Sequence, residues 1–355
     1  MSKILHNVII LAAGKGTRMK SKLYKVLHRV CGRTMVGHVL HQVKKLRTDH
    51  VITVVGYGAA AVKKTLGDQT EYVTQAHQRG TGDAVLWAEP ILKNGIGDTM
   101  VLSGDTPLLR ANTLRKLFQQ HDQSQAAATI LTAKVADPTG YGRIVKDAAG
   151  NVQQIVEQKD ANASQRAIHE VNTGVYVFDN QQLFKALHRI NDQNAQGEYY
   201  LTDVIQVLRK AGQQVQTYQM NDPREAMNVN TRAALSRANR IMHRRINDYL
   251  MDHGVSILAP DRTDIDVDVK IGADTVIEPN VRIHPGTVIG SQCVIGANSE
   301  IYNCRLHDHV HVIASYLQDS TMDEYSNIGP YSHLRPKAVI GPHVHLGNFV
   351  EVKAA

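Results

Sequence analysis

The sequence holds only three cysteines, Cys31, Cys293 and Cys304, in a chain of 355 residues. An odd number without regular spacing argues against a disulfide framework and against a zinc site. Reduced thiols fit a cytoplasmic protein. Long apolar runs are missing too. The N-terminal run from Val8 to Ala13 is far too short for a membrane span, and no cleavage site follows it. The other apolar stretches are strand-sized, so neither membrane insertion nor secretion is expected. Charged residues make up 21% of the chain and hydrophobic ones 43%, which excludes a disordered chain and allows a packed core. The length suggests two domains. The formal charge of +7 suits polyanionic partners such as nucleotide phosphates or nucleic acid, although net charge reports on association rather than on a ligand.

What is present falls into three textures. Residues 1–226 alternate short β-branched runs with helical segments, the pattern of a βαβ sheet. Val8–Leu11, Val51–Val55, Thr99–Leu102, Ala128–Leu131 and Thr173–Phe178 read as strands, and His28–Leu46 has helical spacing. Residues 227–255 follow as a basic linker. Leu235, Ala238, Ile241, Met242, Ile246, Tyr249 and Leu250 fall near i, i+3, i+4 spacing, with Arg232, Arg237, Arg240, Arg244 and Arg245 between them. This reads as an amphipathic connecting helix with a solvated basic face rather than an RNA-binding arm.

From residue 265 the period changes to six. Ile265, Ile271, Ile277, Ile283, Ile289, Ile295 and Ile301 recur at every sixth position, and after an interruption at Arg305–His309 a second frame is expected. It runs through Val310, Tyr316, Met322, Ile328, Leu334, Ile340, Leu346 and Val352. Such a repeat, with Gly, Ala, Asn or Asp at the turns, predicts a parallel β-helix over 256–355. Each hexapeptide supplies one strand and one corner, with the aliphatic side chain on the axis and a small or left-handed-tolerant residue at the corner. The repeat runs to Ala355 without a capping segment, so a C-terminally truncated chain is expected.

The chemistry concentrates after the first strand, in Leu11-Ala12-Ala13-Gly14-Lys15-Gly16-Thr17-Arg18-Met19. The loop lacks the third glycine of a dinucleotide fingerprint and the spacing of a P-loop. Gly14 and Gly16 let backbone approach phosphate, and Lys15, Arg18 and Lys25 place three cations beside it. Nucleotidyl transfer needs such a site, because a triphosphate must be held and the charge on departing pyrophosphate stabilised.

This loop resembles the signature of sugar-phosphate nucleotidylyltransferases, L-x-x-G-x-G-T-x-M followed by Pro-Lys, with Tyr24 where the family has proline. The resemblance continues through Gln75–Gly82, Ser103-Gly104-Asp105, Gly140–Arg143, Ile155–Lys159, Asn172-Thr173-Gly174, Gly197–Asp203 and Asn228–Arg232. With the hexapeptide repeat behind them, these blocks resemble the bacterial bifunctional N-acetylglucosamine-1-phosphate uridylyltransferase and glucosamine-1-phosphate N-acetyltransferase family. The resemblance implies a Rossmann-like α/β domain with a mixed, mainly parallel sheet, followed by a left-handed parallel β-helix. It implies nucleotide binding by Leu11, Ala12, Gly14, Lys25, Gln75, Gly80 and Thr81, with Arg18 and Lys25 catalytic. It implies sugar-phosphate binding by Gly142, Glu157, Asn172, Thr202 and Asn230, and Mg²⁺ on Asp105 and Asn230. The expected partners are UTP, N-acetylglucosamine 1-phosphate and UDP-N-acetylglucosamine, in a cytoplasmic homotrimer that binds no nucleic acid or membrane. Arg335 and Lys353 match positions that grip the amino-sugar phosphate. The acetyl-transfer base and the acetyl-coenzyme A site of the family lie beyond this endpoint, so acetyl transfer is expected to be weak or absent. Asp83 stands where many relatives have histidine. Another sugar-1-phosphate nucleotidylyltransferase, a platform for a hexapeptide acyltransferase, or a non-catalytic regulatory subunit of the same layout remain the alternatives.

Overall fold

A computed structural model describes residues 5–93 and 95–354. The chain divides into two compact units. The first comprises Met1–His28 and Thr34–Ala234, the second Arg29–Arg33 and Leu235–Ala355. No described helix is long and apolar enough to cross a membrane.

The first unit is built on β1 (Leu5–Ala12), β2 (His50–Val55), β3 (Glu71–Thr74), β4 (Gly97–Ser103), β5 (Ala128–Lys134), β6 (Arg143–Lys146), β7 (Val152–Val156), β8 (Glu170–Asp179) and β9 (Val215–Gln219). The main order is β9-β5-β8-β4-β1-β2-β3, and β6 pairs with both β8 and β7. β1 runs parallel to β2 and β4, whereas β8 is antiparallel to β4 and β5, so the sheet is mixed. β1 is the central strand because both its faces are apolar. Ile9 packs into the cluster with Ile52 and Val101, while Val8 and Ile10 join Val55, Met100 and Leu102 on the other face. A parallel strand buried on two faces shows a continuous aliphatic run rather than an alternation. Strand order reverses around β1, and ligands bind at the carboxyl ends of strands at such a switch point.

The expected helix over His28–Leu46 is shorter, beginning only at Met35 and ending at Val43. Thr34 is its N-cap and accepts from the Gly37 amide at 3.2 Å, and the buried Met35, Val36, Val39, Leu40 and Val43 form its inner face. The cap sets the boundary: the residues leading up to it form two short paired strands, Arg29–Val30 and Arg33–Thr34.

The second unit contains the helix Arg232–Asp252 from Leu235 onward, followed by a left-handed parallel β-helix. Its strands stack into three parallel sheets of six, six and five strands. Ile265, Ile283, Ile301, Leu317 and Leu334 line one inner wall, and each pairs with its neighbour in the next coil. The second frame differs from expectation. Val310 and Tyr316 are not the stacked positions. Leu306, Val312 and Leu317 are, paired with Ile289, Ile295 and Ile301. The steps from Ile301 to Leu306, Val312 to Leu317 and Leu317 to Met322 are one residue short of the hexapeptide, so the count slips while the stack persists. Tyr316 therefore points away from the axis and packs against Tyr302 and His333 at ring separations of 5.5 and 5.0 Å.

The corners also depart from the rule of small residues. Early ones place Asp268, Asp274, Asn280 and Asn298 at positive φ, but later ones use Tyr325, Tyr331, His343 and Phe349. Left-handed backbone costs such residues roughly 1–2 kcal/mol. Ring stacking between coils offsets it, with His309 on Tyr325 at 4.4 Å, Tyr325 on His343 at 5.1 Å and Tyr331 on Phe349 at 5.6 Å.

Leu317→Ala is expected to destabilise the β-helix by about 2–5 kcal/mol, the cost of a cavity in a packed core. Tyr316→Ala should cost about 1 kcal/mol, from lost stacking. Urea titration of both variants checks the assignment, and a larger loss for Tyr316→Ala would contradict it.

Candidate active site

The loop after β1 is shaped by one glycine conformation. Gly16 sits at φ 64° and begins the 3₁₀ turn Thr17–Met19. The space a side chain would need there is filled by the Lys25 stem. Gly14 faces open space. Tyr24, which replaces the family's proline, holds φ −60° and ψ 139°, close to proline's own backbone angle. Its ring lies over Gly58 and meets Tyr57 edge-on at 5.3 Å. Lys25 is therefore presented without the proline.

The Lys25 ammonium ion-pairs with the Asp105 carboxylate and donates to Asn230 Oδ1 at 2.5 Å. Arg18 donates to the same Asn230 oxygen at 3.0 Å. Asp105 follows β4, and its carbonyl accepts from the Val229 amide at 3.0 Å, which brings Asn230 to the carboxyl edge of the sheet. Asp105 Oδ1 is buried without a hydrogen-bond partner among the described residues.

Two cavities open from this network. One of about 470 Å³ is lined by Leu11, Ala12, Gly14, Lys25, Gln75, Gly80 and Thr81, all the residues expected to bind a nucleotide, whereas Arg18, expected to be catalytic, is not among its lining residues. The other, about 200 Å³, is lined by Gly142, Glu157, Asn172, Thr202 and Asn230, all expected around a sugar phosphate. Leu11, Thr81, Ser103 and Asp105 border both.

Local chemistry explains each wall. Gln75 is 3% exposed and its amide donates to Gly80 O at 3.2 Å and Asp83 Oδ2 at 2.7 Å. Asp83, the departure from many relatives, thus orients Gln75. Gly80 lies against the Tyr199 backbone, where any side chain would collide, and Thr81 Oγ1 accepts from the Leu201 amide at 3.0 Å. In β8 the register shifts between Asn172 and Tyr176, around Gly174 at φ 77°. The bulge lets the Gly174 amide donate to Asn172 Oδ1 at 3.0 Å, while Asn172 Nδ2 donates to the Tyr176 hydroxyl at 2.6 Å. Tyr176 lines the second cavity and was not among the expected residues. Nothing in its spacing marks it, because a buried strand tyrosine reads as core. Arg335 and Lys353 belong to the second unit, where both reach Glu351, at 3.0 and 3.8 Å.

Comparison with known proteins places the chain in a family. A family model described as nucleotidyl transferase matches residues 7–239, and one described as GMPPB C-terminal domain matches residues 261–355. The bifunctional protein GlmU of Limosilactobacillus reuteri is 56% identical over 349 residues, covering 98% of this chain and 77% of the relative. GlmU of Latilactobacillus sakei is 56% identical, with 98% and 76% covered, and that of Levilactobacillus brevis 61%, with 89% and 69% covered. A crystal structure assigned to a glucose-1-phosphate thymidylyltransferase of Bacillus anthracis superposes with a TM-score of 0.54 at 20% identity, covering 66% of this chain and 94% of that one, a likeness of fold. The fold and the matched family make the chain a nucleotidyltransferase. It belongs to the family of bifunctional GlmU proteins.

Glu157 carries a titration signature. Burial raises its carboxyl pKa above the ordinary value, with Asp160 and Asp203 adding to the shift and the Thr202 hydroxyl opposing it. The folded chain then binds the proton more tightly than the unfolded one. Stability from this group is present below the unfolded carboxylate pKa and is lost as pH rises through the raised folded value. Glu157→Gln should remove that loss, raising Tm relative to wild type at neutral pH. Melting curves between pH 4 and 8 check it; parallel curves for the two proteins would contradict the assigned shift.

Proposed function

We propose that this chain joins UTP to N-acetylglucosamine 1-phosphate, releasing pyrophosphate and forming UDP-N-acetylglucosamine for peptidoglycan and lipopolysaccharide precursors. The observation that carries the reading is the meeting of Arg18, Lys25, Asp105 and Asn230 where the two cavities join. A triphosphate in the larger cavity and a sugar phosphate in the smaller one would share that junction.

A sugar-phosphate oxygen, already ionised, attacks the α-phosphorus of UTP. The bond from that phosphorus to the bridging oxygen breaks, and pyrophosphate leaves with the electron pair. No side chain has to accept a proton, so catalysis rests on positioning and charge stabilisation. The Gly14 backbone lies open to the phosphates, and Arg18 and Lys25 offset the charge that grows on the leaving group. Gln75, held by Asp83 and Gly80, is oriented for the edge of a pyrimidine base. Gly142, Glu157, Asn172 and Thr202 offer acceptors and donors for sugar hydroxyls and the acetamido group.

The residues at the junction suit a divalent cation. Asp105 Oδ1 is buried and unpartnered and Asn230 offers a carbonyl oxygen, an all-oxygen set that favours Mg²⁺. When bound, Mg²⁺ would neutralise charge on the reacting phosphate oxygens.

Pyrophosphate release from N-acetylglucosamine 1-phosphate with each common triphosphate tests the reading. UTP should be strongly preferred, and Lys25→Ala or Asp105→Ala should each lower kcat by roughly 10²–10³-fold with the fold retained. Preference for ATP, GTP or dTTP would overturn the base assignment, and near-wild-type turnover in both variants the catalytic one.

A further inference from the structure

We infer that Cys31, His243 and Asp266 form a binding site for a zinc-class divalent cation in the second unit. The Sγ of Cys31, a ring nitrogen of His243 and a carboxylate oxygen of Asp266 lie within 4.8 Å of one another. Tetrahedral zinc with sulfur, nitrogen and oxygen ligands spaces its donors about 3.5 Å apart, so closing the site needs movements of about an ångström. The donors are a thiol, an imidazole and a carboxylate, the borderline-soft set that zinc favours over magnesium or calcium.

The surroundings are ordered as a metal's second layer would be. His243 Nδ1 lies 3.0 Å from Asp264 Oδ1, which holds the proton on that nitrogen and leaves the Nε2 lone pair free. His243 Nε2 is buried without a hydrogen-bond partner, and Asp266 Oδ1 stands 3.8 Å away, too far for a hydrogen bond. The other Asp266 oxygen lies 3.1 Å from His284 Nδ1, and His284 Nε2 lies 3.1 Å from Glu300. A carboxylate thus orients the histidine, and a histidine orients the carboxylate. The thiol of Cys31, 2% exposed, lies 3.6 and 3.8 Å from the Asn239 oxygens and also meets the His243 backbone. Burial, and then the charges of Asp266 and Asp264, push its pKa up, and the His243 backbone opposes them. The same two carboxylates attract a dication. A cavity of about 520 Å³ lined by Gly32, Asp266, His284 and Tyr302 reaches the Asp266 side of the grouping. On binding, the Cys31 S–H bond breaks, its proton passes to solvent, and a sulfur–metal bond forms.

The test uses the untagged full chain, freed of metal by chelation and dialysis, in excess Mg²⁺. Titration with Co²⁺ should give a sulfur-to-cobalt charge-transfer band and intense visible bands of a tetrahedral site. Zn²⁺ should bleach them by displacement. Cys31→Ser should remove the charge-transfer band, Cys304→Ser should keep it, and Asp264→Asn should weaken Zn²⁺ binding by about 10–100-fold. His243→Gln, at a half-buried helix position, should weaken it at least as much. The first unit holds a second grouping, His6, Asp98 and Asp122, which could bind cobalt only without a sulfur band. A wild-type chain that shows no sulfur band overturns the inference. So does a band that persists in Cys31→Ser, or Zn²⁺ affinity unchanged in Asp264→Asn and His243→Gln.

Discussion

An ammonium and a carboxylate removed from water cost several kcal/mol each unless they face each other and find further partners. Lys25 and Asp105 meet that condition, their side chains only 15% and 10% exposed. Much of the first unit follows from it. Lys25 must sit on a turn anchored by buried Val26 and Leu27, and its stem takes the space beside Gly16. Asp105 must emerge at the end of β4, next to β1, and the 228–230 segment must return to supply Asn230. The loop, the two central strands and a segment 125 residues beyond Asp105 are thus tied through a few polar atoms. Within this network, among the described residues, the buried Asp105 Oδ1 has no hydrogen-bond partner.

The second unit obeys a different constraint. Each strand is only two or three residues long, too short to be stable alone. Stability comes from stacking one coil on the next, so the inner aliphatic column has to stay in line whatever happens at the corners. The three shortened steps show which element yields. Spacing along the chain changes, Tyr316 is turned out, and Leu317 keeps the column continuous. Buried hydroxyls reinforce the corners, as where Thr275 donates to the Gly290 carbonyl and Ser332 to that of Gly347, both at 2.8 Å.

The two units also treat polar burial differently. Around the first, oriented groups border open cavities: Gln75 fixed by Asp83, Asn172 by the bulge in β8, Glu157 beside Thr202. In the second, Asp264, His243, Asp266, His284 and Glu300 form a chain of alternating carboxylates and imidazoles, with the buried Cys31 thiol beside His243 and Asp266. The first arrangement is suited to ligands that come and go, the second to a small resident ion.

Strands and coils were legible in the linear order because their signals are local. A strand covered on both faces must be aliphatic throughout, as β1 is, and a coil repeats its inward residue at a near-constant interval. The glycine-rich loop after β1 was legible for the same reason: its glycines and cations lie within a few residues of each other. The start of the helix at Met35 and the slip near Leu306 depended on capping and corner length, which apolar spacing does not encode. Contacts across long separations were beyond reach. Tyr176 looked like core until the bulge turned Asn172 toward it, and three scattered cysteines gave no hint of a metal until folding brought Cys31 beside His243, more than two hundred residues away. Periodicity is written in neighbouring residues, whereas a site made from distant ones exists only once the chain has closed on itself.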